Sequence, residues 1–352
     1  MDQTVRNIKE LAALLNISPT TVSRVLNGKA DDYRISPATT KKVLDAAREF
    51  NYHPNRIARG LRLEKTETIG LIVPDIANPF FAHVAKTIEF EARRNGYSII
   101  LCDSLDDIET ESELLKLLAG RKVDGIILAP VGTGTGHISE FLKREIPSVV
   151  IDRYLPGLDI PSVSTDNYTG AYLATEHFIA AGHSRIACIQ GINGISVNTD
   201  RVDGYRDALK NHNLTVDNSM IAGDDFGEKN GYDQTVRLLG SECRPTAILA
   251  LSNLISLGVM RALSEAGLKI PDDMSLVSFD DQPYSAFLAS PMTTVEQMKE
   301  EIAREAVQIL LENINSGRSA GKVNKKIMPE LIIRNSVKNM RKIPVRDHSS
   351  HL

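Results

Sequence analysis

Residues 18–28, Ser-Pro-Thr-Thr-Val-Ser-Arg-Val-Leu-Asn-Gly, decide the fold of the N-terminal part of this chain. Ser18 offers a side-chain oxygen that can cap a helix, and Pro19 suits the first helical position because its missing N–H needs no partner there. Asn27-Gly28 ends the stretch with a residue that tolerates a positive φ. The segment therefore predicts a short helix with a polar outer face.

Helices on either side complete a predicted helix-turn-helix. An apolar face with helical spacing precedes the turn and consists of Ile8, Leu11, Ala12 and Leu15. A third helix should begin at Ser36-Pro37 and close the core with Val43, Leu44, Ala47 and Phe50. The middle helix would present Thr20, Thr21, Ser23 and Arg24, whose side chains can reach bases or phosphates in a major groove. A helical bundle without a nucleic-acid role remains the alternative.

Charge is unevenly distributed along the 352 residues. Residues 1–68 contain 12 Lys or Arg and 8 Asp or Glu, whereas the remainder of the chain carries a net charge of −8. A basic head on an acidic body suits phosphate binding by the head alone.

Head, linker and body together resemble the lactose-repressor (LacI/GalR) family, a resemblance that extends to about Ser336. Its clearest segments are Thr21–Gly28, Asn51-Tyr52-His53-Pro54-Asn55 and Ala58-Arg59-Gly60-Leu61-Arg62. The resemblance implies that the linker becomes a helix on operator DNA and that Leu61, between Arg59 and Arg62, wedges into the minor groove. A plain basic linker is the alternative. The DNA-contacting set implied in this way is Pro19, Thr20, Thr21, Ser23, Arg24, Asn27, Tyr52, Asn55, Arg59, Leu61 and Arg62. The loop Lys29–Ile35 is longer than in most members and looks like that of the fructose-repressor subgroup.

From Thr68 onward, apolar runs alternate with helical patterns, which predicts parallel sheets buried on both faces. The predicted strands are Ile69–Val73, Ser98–Cys102, Gly125–Ala129, Val149–Asp152, Arg185–Gln190, Ala247–Leu251 and Leu276–Asp280. The predicted fold class is a small all-α helix-turn-helix head plus a two-lobed α/β body like the periplasmic binding proteins. The expected divisions are a head at 1–52, a linker at 53–67, an effector-binding and dimerisation domain at 68–336 and a tail at 337–352. Lobe 1 is expected at about 68–164 and 292–328, and lobe 2 at about 165–291.

Ligands of open α/β sheets bind beyond the carboxyl ends of the strands, which makes the polar residues there candidates for an effector site. Asp75, Asp152-Arg153 and Asp280 occupy such positions, and the resemblance adds Arg201 at the start of the next predicted helix. Paired Asp and Arg suit a sugar, because carboxylates accept from hydroxyl groups and guanidinium groups donate to oxygens. The resemblance also points to ring contacts and one amide contact, from Phe80, Phe81, Phe226 and Asn253. Core packing is the alternative for each Phe, and a surface ion pair for Arg201.

Two positions depart from the family pattern. Ser252-Asn253 stands where most members have Asn-Asp, so a charge is missing from the predicted cleft. Ile195 replaces a polar, basic contact of purine-type members, which argues against a nucleobase.

Other function classes find little support in the sequence. The loop Gly132-Thr133-Gly134-Thr135-Gly136, with Asp152 downstream, could suggest an NAD-linked protein, but its third glycine comes one position early. The three cysteines are isolated, and the histidines form no HExxH motif. We therefore expect no catalytic residue, metal or cofactor, no membrane span and a cytoplasmic location. A stand-alone sugar-binding or NAD-linked α/β protein remains the alternative.

The sequence thus predicts a ligand-responsive repressor, active as a homodimer on a near-palindromic operator. It would control genes of carbohydrate uptake or catabolism, and its expected partners are operator DNA and a small sugar-like effector. The tail has no apolar heptads and gives no indication of a tetramer-forming coiled coil.

Overall fold

A computed structural model describes residues 7–52, 65–317 and 323–341 of the chain. The chain divides into two compact units, residues 1–67 and 68–352. The predicted contacts at Asn55, Arg59, Leu61 and Arg62 lie outside the described residues.

Three helices form the first unit: α1 (Ile8–Leu15), α2 (Pro19–Leu26) and α3 (Pro37–Glu49). Ser18 and Ser36 cap α2 and α3 as the sequence indicates, each accepting a hydrogen bond from a backbone N–H three residues later. Leu44 was predicted to face the core, but it is 37% exposed, and Ala46 is buried instead. From Val43, the core face follows at steps of three and four residues, and Leu44 lies about 100° away from it.

The second unit is an α/β body with twelve strands and eight α-helices in its described residues. In chain order these elements are β1 (Thr68–Val73), α4 (Pro79–Arg94), β2 (Ser98–Asp103), α5 (Ile108–Gly120), β3 (Gly125–Leu128), α6 (Gly136–Leu142), β4 (Ser148–Ile151), β5 (Ser162–Thr165), α7 (Asn167–Ala180), β6 (Ile186–Ile189), α8 (Ser196–Asn211), β7 (Ile221–Ala222), α9 (Glu228–Leu239), β8 (Ala247–Ala250), α10 (Asn253–Glu265), β9 (Ser275–Phe279), β10 (Thr293–Glu296), α11 (Lys299–Ser316), β11 (Asn324–Ile327) and β12 (Glu330–Ile332).

The strands form two six-stranded sheets, one in each lobe of the body. The first has the order β11-β5-β4-β3-β1-β2 and the second β12-β10-β9-β8-β6-β7. All pairings are parallel except that of β10 with β12. The predicted fold class is therefore confirmed. The expected lobe boundary at 291/292 is displaced, because Thr293–Glu296 pairs with β9 in the second sheet.

The chain crosses between the lobes after β5, after β10 and between β11 and β12. The first sheet is covered on one face by α4 and α11 and on the other by α5 and α6. In the second lobe, α9 and α10 approach closely, because a Cβ on Gly258 would lie 2.0 Å from the carbonyl oxygen of Glu228.

Two predicted boundaries were wrong. Helix α8 begins at Ser196, so Arg201 lies inside it rather than at its start. The predicted tail is partly folded onto the second lobe, since the Met340 N–H donates to the Ala181 carbonyl and the Lys338 N–H to Ser275 Oγ. No helix among the described residues is long and apolar enough to span a bilayer.

Candidate functional site

A cavity of about 220 Å³ lies between the two lobes of the body. All nine residues that the sequence predicted for an effector site line it: Asp75, Phe80, Phe81, Asp152, Arg153, Arg201, Phe226, Asn253 and Asp280. Five further polar residues of the lining were not predicted as effector contacts: Asn78, Asp106, Asp225, Ser252 and Gln297. Both lobes contribute, so the cavity can respond to any change in their separation.

Arg201 is the most firmly held cation of the cavity and is 3% exposed. Its Nε donates to Asn167 Oδ1 at 2.7 Å and its Nη1 to the Leu251 carbonyl at 2.5 Å. The guanidinium group lies 3.9 Å from the ring centre of Phe279. Burial lowers the pKa of Arg201, and the carboxylates of Asp280 and Asp152 act in the opposite direction. Arg201 thus ties α7, α8 and the end of β8 together, in addition to lining the cavity.

Arg153 has a different environment, although it is buried to a similar degree. Its Nε lies 3.7 Å from Asp152 Oδ2, and its Nη1 is buried without a hydrogen-bond partner among the described residues. An unmade hydrogen bond of a buried charged group is costly. Nη1 of Arg153 can therefore donate a hydrogen bond to an acceptor atom of a bound ligand.

Asp152 and Asp280 follow strands of different lobes and both have left-handed backbones, with φ of 67° and 69°. Aspartate tolerates this conformation better than most residues, and such strain is common at functional sites. Burial raises the pKa of Asp152, and the positive charges of Arg153 and Arg201 oppose this rise. Asp280 Oδ1 accepts from Gln297 Nε2 at 2.5 Å, and Gln297 Oε1 accepts from Thr165 Oγ1 at 2.6 Å. These hydrogen bonds link Asp280 to the ends of β5 and β10, where the polypeptide crosses between the lobes, and we call these crossovers the hinge.

A direct hydrogen bond joins the lobes beside the cavity: Asn253 Nδ2 donates to Asn78 Oδ1 at 3.1 Å. Asn78 also caps α4 by accepting from the Phe80 N–H. Ser252 caps α10 and donates to the Phe226 carbonyl. The departure from the family pattern at 252–253 thus replaces a charge with an amide that can donate to the other lobe.

The rings in the cavity also have packing partners. Phe80 and Phe81 form an edge-to-face pair with centroids 5.0 Å apart. Phe226 lies against Gly191, where an added Cβ would come within 2.2 Å of the ring. Each Phe therefore both packs and lines the cavity, and a contact with ligand remains a prediction.

The glycine-rich loop at 132–136 packs against α5, where a Cβ on Gly132 would come within 2.6 Å of the Ile108 side chain. Beneath the loop, the fully buried Glu111 accepts from the Val131 N–H at 2.8 Å and lies 2.5 Å from His137 Nε2. Asp152, the proposed ribose partner of an NAD-linked protein, lines the interlobe cavity instead.

In the head, the N-terminal end of α2 is open to solvent at Pro19 and Thr20, while Thr21, Ser23, Arg24 and Asn27 are half-buried. Two members of the predicted set are occupied within the head. The Asn27 side chain donates to the Ser23 carbonyl at 2.6 Å, and the Arg24 guanidinium lies 3.7 Å from the ring centre of Tyr33, in the long loop.

Tyr52, also predicted to contact DNA, is 9% exposed and packs in the core of the head. The structure therefore gives its ring a packing role, because the end of α3 turns it toward the faces of α1 and α2.

Comparisons with known proteins match both units. The family model for bacterial regulatory proteins of the lacI family matches residues 7–55, and that for a periplasmic binding protein-like domain matches residues 175–337. The HTH-type transcriptional repressor PurR of Haemophilus influenzae is 35% identical over 337 residues, which cover 95% of this chain and 99% of the relative.

Solved structures are similar as well. A putative ribose operon repressor from Burkholderia thailandensis is 36% identical, covers 76% of this chain and 98% of its own, and gives a TM-score of 0.70. A lac repressor dimer bound to operator and the anti-inducer ONPF is 25% identical, covers 95% of this chain and 99% of its own, and gives a TM-score of 0.83. A LacI family transcriptional regulator from Enterococcus faecium with bound ribose is 30% identical, covers 78% of this chain and 100% of its own, and gives a TM-score of 0.69.

Proposed function

Because this chain belongs to the lacI family of bacterial regulatory proteins, we propose that it is a repressor whose operator affinity is set by a sugar held between its lobes. One observation carries the proposal: nine residues chosen from the sequence as effector contacts line a single interlobe cavity. Relatives that match nearly the whole chain are transcriptional repressors, which disfavours a stand-alone α/β protein or an enzyme.

DNA binding is assigned to the head. The exposed N-terminal end of α2 would enter the major groove, with Thr20, Thr21, Ser23 and Arg24 near base edges or phosphates. Leu61, between Arg59 and Arg62, would wedge into the minor groove, a role proposed from the family resemblance alone.

A sugar is the effector that the cavity supports best. Carboxylates of Asp152 and Asp280 can accept from hydroxyl groups, and the buried Nη1 of Arg153 can donate to a ring or hydroxyl oxygen. Phe80, Phe81 and Phe226 can cover the apolar face of a ring. The ribose in the similar Enterococcus faecium regulator supports this class. A nucleobase is the alternative.

Dimerisation is proposed for the outer edge of the first sheet. Strand β2 is its edge strand, and apolar side chains on or beside it are solvent-exposed, among them Leu101 at 44% and Leu105 at 73%. Exposed apolar groups beside an unpaired edge are typical of an interface. The lac repressor structure that resembles this chain is a dimer. Leu105→Lys should produce a monomer by light scattering, whereas Leu257→Lys, at an exposed position of α10, should not.

Coupling between effector and operator would pass through the hinge. A ligand that contacts Asp280 and Asp152 would favour one separation of the lobes. The hydrogen bonds from Asp280 through Gln297 to Thr165 would pass this change of separation to the crossovers. A typical coupling of about 1–3 kcal/mol would change operator affinity about 5- to 150-fold.

The test has two stages. Genomic fragments retained by the full-length protein in a gel shift identify an operator, and binding is then repeated with free sugars and with nucleobases. We expect a free sugar to change operator affinity. Failure to retain any fragment would contradict the repressor assignment, and a response to a nucleobase alone would contradict the sugar.

A further inference from the structure

The interlobe cavity carries an excess of negative charge. Five carboxyl groups line it, those of Asp75, Asp106, Asp152, Asp225 and Asp280, against the two guanidinium groups of Arg153 and Arg201. Its formal charge is therefore −3. Arg201 donates two of its five N–H groups to uncharged protein acceptors, Asn167 Oδ1 and the Leu251 carbonyl.

Three of these carboxyl groups form a set that spans the cleft, which we call the acidic trio: Asp75 and Asp106 from the first lobe and Asp225 from the second. Asp75 and Asp225 each accept one hydrogen bond from a nearby backbone N–H, of Ala77 and Gly227. The Asp106 carboxyl group makes no hydrogen bond with the described residues. The trio therefore keeps unused acceptor capacity.

The members of the trio affect each other across the cleft. Burial raises the pKa of Asp106, Arg153 opposes the rise, and Asp225 and Asp75 reinforce it. The last two effects require like charges near Asp106 from its own lobe and from the other. An anionic group of a ligand placed among these three carboxylates would be repelled in a partly desolvated space.

A buried guanidinium edge supplies a free donor at the same place. Arg153 Nη1 has no partner among the described residues, and Arg153 is 6% exposed. One free N–H edge beside three carboxylates suits a hydroxyl group, which can donate to a carboxylate and accept from the guanidinium. A dianionic phosphate can only accept. The described residues contain no group of three or more His, Cys, Asp or Glu arranged to hold a metal ion.

We propose that Asp75, Asp106 and Asp225 are specificity-determining residues that admit an uncharged polyhydroxyl compound and exclude its phosphate ester. The inference rests on the proposed function, since it concerns the same cavity. It deepens that function by separating free sugars from sugar phosphates and nucleotides, which share the same rings and hydroxyl groups.

Matched pairs of probes test the proposal on the full-length protein. Thermal shift is measured with D-ribose, D-fructose, D-glucose and D-galactose, each beside its phosphate ester, together with AMP. We expect at least one free sugar to raise the melting temperature and its ester to bind at least tenfold more weakly. An ester or AMP that binds as tightly as the free sugar would overturn the charge filter while leaving the effector site in place. If no compound binds, the proposed function fails and the filter with it.

Neutralising two members of the acidic trio tests whether their charge causes the selectivity. Asp106→Asn with Asp225→Asn keeps side-chain volume and one acceptor oxygen per residue while removing two charges. The ratio of the ester's Kd to the free sugar's Kd should fall at least tenfold in calorimetry. Asp233→Asn, which removes an exposed carboxylate from α9 in the same lobe as Asp225, should leave the ratio unchanged. An unchanged ratio in the double variant would assign the selectivity to shape and would overturn the proposal.

Discussion

Arg201 and Arg153 line the same cavity and are buried to a similar degree, yet their removal should have different consequences. Arg201→Met keeps an unbranched apolar chain but loses two hydrogen bonds from a charged donor, to Asn167 and to the Leu251 carbonyl. Such bonds contribute about 1.5–3 kcal/mol each. We therefore expect a loss of about 3–6 kcal/mol, a large share of the total stability of about 5–15 kcal/mol of a typical domain.

Arg153→Met removes much less from the folded state. Its only ion pair has a separation of 3.7 Å, and its Nη1 has no partner among the described residues. We expect a smaller loss of stability than in Arg201→Met, because the ion pair that is lost is long and burial already raises the pKa of Asp152, together with loss of the response to the stabilising sugar.

Thermal unfolding by circular dichroism measures the first effect, and sugar-dependent operator release measures the second. At about 2–4 °C per kcal/mol, Arg201→Met should lower Tm by roughly 10 °C and Arg153→Met by only a few degrees. Equal losses of stability in the two variants would refute the division of roles. A full sugar response in Arg153→Met would remove Arg153 from the site.

Three further expectations concern the head, the linker and the buried acid beneath the glycine-rich loop. Tyr33→Ala should weaken operator binding about two- to fivefold in fluorescence anisotropy, because it removes the cation–π contact, worth about 0.5–1 kcal/mol, that holds the Arg24 side chain in place. Tyr33→Phe keeps the ring and should bind normally. Leu61→Ala should reduce both operator affinity and DNA bending in a circular-permutation gel assay while Tm stays unchanged; an unchanged bend would exclude the wedge. Burial raises the pKa of Glu111 above its ordinary value, so its contribution to stability is full below that value and declines as pH rises through the folded pKa. In urea titrations, the stability of wild type relative to Glu111→Gln should therefore fall as pH increases from about 4.5, whereas Glu140→Gln, at an exposed position, should show no such trend.

Strands made of consecutive apolar residues were predictable from the sequence, and strands that are very short or contain polar residues were not. Runs such as Ile69–Val73 have enough consecutive apolar residues to be recognised as strands buried on both faces. Strand β7 has two residues and β10 has polar threonines, and their assignment depends on pairing with distant neighbours. The second-sheet location of β10 could therefore not be read from local sequence.

The same limit explains which site residues escaped prediction. Asp75 and Asp280 were found because they follow recognisable strands. Asp225 follows the two-residue β7, and Gln297 follows β10, so neither stood beside a predicted strand end. Asp106 comes three residues after β2, where the strand-end rule could have found it. The structural role of Arg201 depends on Asn167 and Leu251, which are far away in sequence.

The identical strand order of the two sheets makes the cleft an approximate internal repeat. Strand β4 in one sheet corresponds to β9 in the other, and each is followed at once by an aspartate with left-handed backbone, Asp152 or Asp280. Strands β2 and β7 correspond too, and each is followed after three residues by Asp106 or Asp225. A ligand bound in the cleft, as proposed, would therefore meet matching carboxylates from opposite sides. A substitution in one lobe has a counterpart at the equivalent strand end of the other, and comparing such pairs would show how far the two halves of the cleft have diverged in their use of the same ligand.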